Sequence, residues 1–292
     1  MKNAPPGRMS EKAARQTQQP LEIKLGRLEQ LIAELGSAAV AFSGGVDSAV
    51  VLKVASDKLK DRVVGITAVS ESLPSGELKL ARAFARTIEA RHVIVRTDEL
   101  SNADYAANTT ARCFHCKDEV YRKIKDWAAQ HGFPWVIDGF NLDDLADHRP
   151  GHDAGVQLGV KSPLIDAGLG KKEIREIARQ LGLRVADKPA LACLSSRIPY
   201  GTRVTVGALK QIDHAESYLR ELGLPQVRVR HFGSKARIEI LPGEFHRLFG
   251  TKKAIVQRFH ELGYAEVTLD LAGYRMGSLN PVFLGGARPN DR

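Results

Sequence analysis

With 292 residues, 43% of them hydrophobic, the chain has room for two folded domains or one large one, which excludes disorder throughout. A net charge of +9 favours polyanionic partners such as nucleotides, anionic metabolites or nucleic acid, while an aromatic content of 6% argues against base stacking along a nucleic-acid strand. Three cysteines, an odd number, argue against a disulfide framework, and no apolar run is long enough to span a membrane, so a cytoplasmic protein is expected.

Residues 1–20 carry Pro5, Pro6, Pro20 and a net charge of +3 from Lys2, Arg8, Lys12 and Arg15 against Glu11. This composition predicts a solvated, disordered arm, and it lacks the apolar core of a signal peptide. Leu21, Leu25, Leu28, Leu31, Ile32 and Leu35 then fall at helical spacing, and Gly36 supplies a stop. The small apolar run Ala38 to Phe42 predicts the first strand. After it come Ser43-Gly44-Gly45-Val46-Asp47-Ser48 and a helical pattern through Val50, Val51, Val54 and Leu59.

That strand, glycine turn and helix start are the arrangement a phosphate needs. Adjacent glycines allow backbone conformations closed to other residues, so that successive N–H groups converge on one point, and the helix adds its own free N–H groups and positive end. The hydroxyls of Ser43 and Ser48 can donate to further oxygens. Asp47 would repel a bare polyphosphate, and it makes sense with a divalent cation, Mg2+, between the two. Neither GxxxxGK[ST] nor a post-strand GxGxxG is present, which removes the P-loop NTPase and dinucleotide readings. Ordinary turn chemistry is the alternative, but it does not require the strand before and the helix after.

Val63 to Val69 reads as a buried strand, Leu78 to Ile88 as a helix and His92 to Val95 as another strand. Alternation of this kind predicts an α/β fold with a doubly wound parallel sheet, whose ligand lies beyond the carboxyl ends of the strands. Ala68, at the end of the second strand, is therefore expected to line the nucleotide site. Residues 98–112 break the pattern. Helical spacing resumes at Val120, Tyr121, Ile124 and Trp127, and Trp135 to Gly139 predicts a fourth strand whose last residues, Asp138 and Gly139, are expected at the same site. Asp143 and Asp144 in the turn that follows suit either a metal or a helix cap. Residues 149–170, rich in Gly and Pro, predict a long connection, and Lys171 to Leu181 a helix stopped by Gly182.

The last third changes character: a helix over 208–222, strands over 227–230 and 236–241, a helix over 254–262, a strand over 267–269, and a frayed tail from Gly285. The expected domains are a nucleotide-binding one over 21–200 and a smaller α+β one over 201–285. Arg228 and Arg230 alternate along a strand and so share a face, where they can grip a phosphate monoester or simply face solvent. Glu216, on the preceding helix, is a candidate for the same place.

Cys113-Phe114-His115-Cys116 is a CxxC, and Cys193 follows much later. Zinc lacks a second compact pair, a thioredoxin-like dithiol lacks its full context, and an iron–sulfur cluster with one open iron would use all three thiols; unrelated core cysteines are the remaining reading.

The loop SGGVDS resembles the pyrophosphate loop (PP-loop) of the ATP pyrophosphatases. Together with RCFHCK at 112–117, DGFNLDD at 138–144, RPG at 149–151 and above all ACLSSRIPYGTRVT at 192–205, it makes the chain similar, over about 21–280, to the ATP-dependent sacrificial sulfur transferase (LarE) family. The resemblance implies that ATP adenylates a carboxylate of pyridinium-3,5-biscarboxylic acid mononucleotide, which is then converted to a thiocarboxylate during nickel-pincer cofactor synthesis. It implies Asp47 and Cys193 as catalytic residues, and Arg197, Glu216, Arg228 and Arg230 as contacts of the substrate, a small-molecule nucleotide. Members with only the cysteine matching Cys193 give up its sulfur, whereas members with a CxxC are expected to hold a 4Fe-4S cluster, here on Cys113, Cys116 and Cys193. A homo-oligomer without nucleic acid or membrane is expected; a tRNA-thiolating PP-loop enzyme and a non-catalytic ATP-binding module are the alternatives.

Overall fold

The computed structural model describes residues 19–146, 150–189, 192–275 and 279. Nearly all of the predicted arm, Arg149 of the RPG segment, Ala190 and Leu191, and the tail from Gly285 lie outside them. The chain divides into two compact units, one formed by Met1–Ser70, Gly76–Thr97 and Cys113–Leu191, the other by Glu71–Ser75, Asp98–Arg112 and Ala192–Arg292.

The first unit is built on a parallel sheet of β1 (Ala38–Ala41), β2 (Val63–Val69), β3 (His92–Arg96) and β4 (Val136–Ile137), in the spatial order β3-β2-β1-β4. Successive side chains of a strand point to opposite faces, and the burial follows that rule. Ala38, Val40, Val63 and Ile137 enter one core, with α1 (Leu21–Ala33), α2 (Val46–Leu59), α3 (Ser75–Thr87) and, further along the chain, Lys171–Gln180. Ala39, Val64, Ile66 and Val136 enter the other, with Tyr121, Ile124 and Ala128. A sheet covered on both faces explains why these strands read as unbroken apolar runs rather than alternating ones. Where α2 crosses β2, a Cβ on Gly65 would come within 2.9 Å of Leu52, so the glycine sets how closely helix and sheet pack.

In chain order the remaining helices are α4 (Ala103–Ala106), α5 (Arg112–Gln130), α6 (Leu142–Ala146), α7 (Pro150–Gln157), α8 (Pro163–Asp166), α9 (Lys171–Gln180), α10 (Val206–Glu221), α11 (Phe245–Gly250) and α12 (Lys252–Glu261). The connection predicted over 149–170 thus contains two short helices. Pro150 and Pro163 stand in their first turns, where a missing N–H costs no helical hydrogen bond. Lys161 also pairs in parallel with Ile137, extending the sheet by a single bridge. Asp143 and Asp144 serve the start of α9: Lys171 donates its backbone N–H to Asp143 at 2.5 Å, and its Nζ lies 3.1 Å from Asp144. Buried Lys24 of α1 reaches Glu173 of α9 at 2.6 Å, which pins the two helices.

The second unit carries a three-stranded sheet. β5 (Val227–Phe232) and β6 (Lys235–Ile240) form an antiparallel hairpin, and β7 (Glu266–Leu269) runs parallel to β6. Gly233, at φ +65°, makes the tight turn between the first two. Val227, Val229, Ile238 and Ile240 face a core with Ala215 and Leu219 of α10 and Phe259 of α12. The irregular stretch 98–112 belongs here. Asn102 caps α4 through its side chain, Val204 donates its N–H to Ala106 O, and Gly201 donates to Asn108 O. No helix among the described residues is long and apolar enough to cross a membrane.

Candidate functional site

In the first unit β1 ends at Ala41 and α2 begins at Val46, so Ser43, Gly44 and Gly45 make the turn at the carboxyl end of a central strand. Its entry is fixed by Phe42, whose N–H donates to Ile66 O at 2.8 Å and whose carbonyl accepts from Thr67 Oγ1 at 2.7 Å. Gly44 adopts φ +78°, in the left-handed region that glycine enters without steric cost. Ser43 Oγ and Ser48 Oγ are 3.1 Å apart, Ser48 Oγ donates to Gly45 O at 3.1 Å, and the Ser43 N–H donates to Ser48 Oγ at 3.3 Å. The two hydroxyls therefore brace a loop that crosses over the helix start. Val46 is buried, and Asp47 is half-buried in the first turn of α2.

The end of β4 approaches this loop very closely. A Cβ on Gly139 would fall 2.6 Å from the backbone nitrogen of Ser48, a separation that real side chains do not adopt. Asp138 is buried and committed to protein donors: Tyr121 Oη at 2.7 Å, Ser162 Oγ at 2.8 Å and the Phe140 N–H at 3.1 Å. Burial, and then the Asp138 carboxylate, push the Tyr121 hydroxyl well above its ordinary pKa, which keeps it a donor. Asp138 acts as the anchor that aims Gly139 at the loop. Ala68 sits half-exposed at the carboxyl end of β2, paired with Val95.

Cys113 and Cys116 lie one turn apart on α5, the first exposed and the second half-buried, neither of them in a disulfide. Gly151 of the RPG segment packs onto this turn, since a Cβ there would come within 2.9 Å of Lys117 and 3.4 Å of Cys113 O. Among the described residues no group of three His, Cys, Asp or Glu side chains gathers as a metal site.

In the second unit Cys193, a free and half-buried thiol, precedes a 3-10 turn over Leu194–Arg197. Its carbonyl accepts from Arg197 Nη1 at 2.7 Å and from Ser196 Oγ at 2.8 Å. The opposite edge of the Arg197 guanidinium makes a bidentate pair with Glu216, Nε to Oε1 at 2.8 Å and Nη2 to Oε2 at 3.0 Å. Both side chains are at most 1% exposed. Glu216 also accepts from the Val229 N–H at 3.0 Å and from Arg220 at 2.6 Å. Burial alone would raise the Glu216 pKa, but Arg197, Arg220 and Arg228 outweigh it and hold the carboxyl below its ordinary value. Arg197 thus ties the backbone of the cysteine turn to the buried Glu216.

Arg228 and Arg230 do share one face of β5, both buried, opposite Glu239 and Arg237 of β6. Arg230 donates to Ser196 O at 2.9 Å and to Glu239 at 2.7 Å; Arg228 donates to Val227 O and lies 5.4 Å from the Tyr274 ring centre. Burial and then the neighbouring Arg197 lower the Arg228 pKa. Among the described residues, five arginines, Arg197, Arg220, Arg228, Arg230 and Arg237, gather about the buried Glu216 and Glu239, with Asp270 3.8 Å from Arg237 as a third carboxylate. That excess of positive charge is favourable for an anion.

Sequence reasoning passed over the supports of the cysteine turn. Tyr105 Oη lies 2.6 Å from Ser195 Oγ, and Arg112 donates to Ser195 O at 2.9 Å and to Asn108 Oδ1 at 2.5 Å. Asn108, at φ +57°, in turn donates to the carbonyls of Ile198, Pro199 and Thr202. The one available signal was asparagine itself, which tolerates that conformation better than most residues.

Comparison with known proteins bears on both halves of this description. A family profile described as asparagine synthase matches residues 30–122, which include the glycine loop. An uncharacterized protein of Synechocystis sp. is 46% identical over 264 residues, covering 90% of this chain and 98% of that protein. The pyridinium-3,5-bisthiocarboxylic acid mononucleotide synthase of Lactiplantibacillus plantarum is 36% identical over 261 residues, covering 89% of this chain and 95% of the synthase. An uncharacterized protein of Methanocaldococcus jannaschii is 27% identical over 236 residues, 81% of this chain and 90% of that one.

Proposed function

The chain belongs to the LarE family of pyridinium-3,5-bisthiocarboxylic acid mononucleotide synthases, and from that premise we propose that it is an ATP-dependent sulfur transferase in nickel-pincer cofactor biosynthesis. It adenylates a carboxylate of pyridinium-3,5-biscarboxylic acid mononucleotide and exchanges the resulting acyl-adenylate for a thiocarboxylate. The observation that carries the reading is the strand–loop–helix nest, with Gly44 at φ +78° and Gly139 set so near Ser48 that no side chain fits between them.

In the first step a substrate carboxylate oxygen bonds to the α-phosphorus of ATP, and the bond to the bridging oxygen breaks to release pyrophosphate. The N–H groups of the nest and the hydroxyls of Ser43 and Ser48 stabilise the charge gathering on that leaving group. Asp47, half-buried beside them, is of the right type and place to hold Mg2+, which would supply charge neutralisation between carboxylate and phosphates. Arg228 and Arg230 take the phosphate of the substrate. Arg197 and Glu216 hold the backbone of the turn that presents Cys193.

In the second step a sulfur nucleophile adds to the acyl carbon, and AMP departs with the electron pair of the broken C–O bond. A 4Fe-4S cluster on Cys113, Cys116 and Cys193 would supply a renewable sulfide at its open iron. The donor chemistry suits it, since none of the three cysteines is in a disulfide or fully buried, and a cytoplasmic setting would keep them reduced. The test is an anaerobic reaction with ATP, sulfide and the biscarboxylic mononucleotide. Stoichiometric AMP, pyrophosphate and thiocarboxylate are expected; ATP turnover that is indifferent to the mononucleotide would sink the assignment.

A further inference from the structure

Lys188 belongs to none of the motifs above, yet its ammonium sits on the nucleotide loop. Nζ donates to Gly44 O at 3.0 Å and to Glu77 Oε2 at 2.6 Å, all within the first unit. The lysine side chain is 17% exposed and the glutamate 18%, so this pair is largely withdrawn from water. The backbone that carries Lys188 is itself held, because Arg175 donates to the carbonyls of both Ala186 and Lys188. Ala81 of α3 lies beside it, 3.4 Å from where a Cβ of Gly44 would stand, with Lys188 Nζ 4.0 Å from the same point.

What this contact does follows from peptide geometry. In a planar trans peptide the C=O of one residue and the N–H of the next point in opposite directions. A group that grips Gly44 O therefore aims the Gly45 N–H to the far side, where it donates to Ser43 Oγ at 3.4 Å, a long bond that an incoming anion can replace. A Gly-Gly peptide with no such grip rotates easily and can turn its carbonyl toward a bound anion. We propose that Lys188 is a positioning residue that locks the Gly44–Gly45 peptide with its N–H available to the pyrophosphate end of ATP. The inference rests on the reading of this loop as the ATP site.

Titration calorimetry of the full-length chain with ATP, inorganic pyrophosphate and AMP tests it, in wild type, Lys188→Met, Lys188→Arg and Glu77→Gln. Lys188→Met is expected to weaken ATP and pyrophosphate about tenfold, the worth of one charge-assisted hydrogen bond, and to leave AMP unchanged. Lys188→Arg should restore most of the loss, and Glu77→Gln should stay within about twofold of wild type, as expected for a pair whose role is not the anion. Wild-type affinity for pyrophosphate in Lys188→Met overturns the proposal. So do equal losses in Lys188→Met and Glu77→Gln, which would make the pair a strut, and an AMP loss as large as that of ATP. Should Lys188→Met fail to fold, Lys188→Gln is read in the same way. A wild-type chain that binds neither ATP nor pyrophosphate refutes the loop assignment itself, and the role of Lys188 with it.

Discussion

Asp47 and Glu216 are both carboxylates near a helix, yet their surroundings set them different tasks. Asp47 packs no core, so Asp47→Ala should lower pyrophosphate release by at least about a hundredfold while the thermal midpoint stays at the wild-type value. Near-normal release would remove the loop from the ATP site. Glu216 is wholly buried against Arg197, and Glu216→Ala leaves that guanidinium without its counter-charge; a loss of about 3–5 kcal/mol in urea unfolding is expected. Because the folded-state pKa of Glu216 is depressed, its contribution is complete above the ordinary carboxylate range and is lost as pH falls through the lowered value. A Glu216→Gln chain should accordingly show a shallower acid limb than wild type. Arg228→Ala with Arg230→Ala should weaken the phosphate-bearing substrate by about 1.5–3 kcal/mol per lost hydrogen bond and ATP far less, and equal losses would make the pair a support of the fold.

Elements place these residues by approach as much as by contact. The end of β4 can lie against the start of α2 only because position 139 has no side chain. Gly139→Ala should therefore push the loop aside, costing ATP affinity about tenfold or more, with secondary structure unchanged by circular dichroism. Unaltered affinity would show that this approach does not shape the site. On β5, His231 is buried beside Tyr264, and burial lowers its pKa. The unfolded chain then binds more protons than the folded one just below the ordinary histidine value, so stability rises as pH passes upward through that value. His231→Gln should flatten this part of the pH–stability curve.

At the scale of the whole molecule the open chemical question is where the sulfur comes from, and the three cysteines answer it together. If they share a cluster, replacing Cys113, Cys116 or Cys193 singly should remove its visible absorption and its iron, because two thiolates do not anchor what three hold. With the cluster intact and sulfide added, turnover should be repeated and the polypeptide mass unchanged. A spent chain lighter by the mass of hydrogen sulfide, from an enzyme indifferent to Cys113→Ala, would instead make Cys193 the donor.

The sequence by itself determined the α/β class, the phosphate loop and the pairing of Arg228 with Arg230 on one strand face, because each is written in neighbouring residues: apolar runs, adjacent glycines and a period of two. It also carried the family, through the 192–205 block. Only the tertiary structure decided what depends on groups distant in the chain. The reach from Lys188 to Gly44, the commitment of Asp138 to Tyr121 and Ser162, and the enclosure of Arg197 by Glu216 leave no local pattern. The same holds for 149–170, where Gly and Pro read as a connection until packing showed helices beginning at the prolines. Local sequence sets which backbone conformations are cheap; which polar groups meet is set by the fold that brings them together.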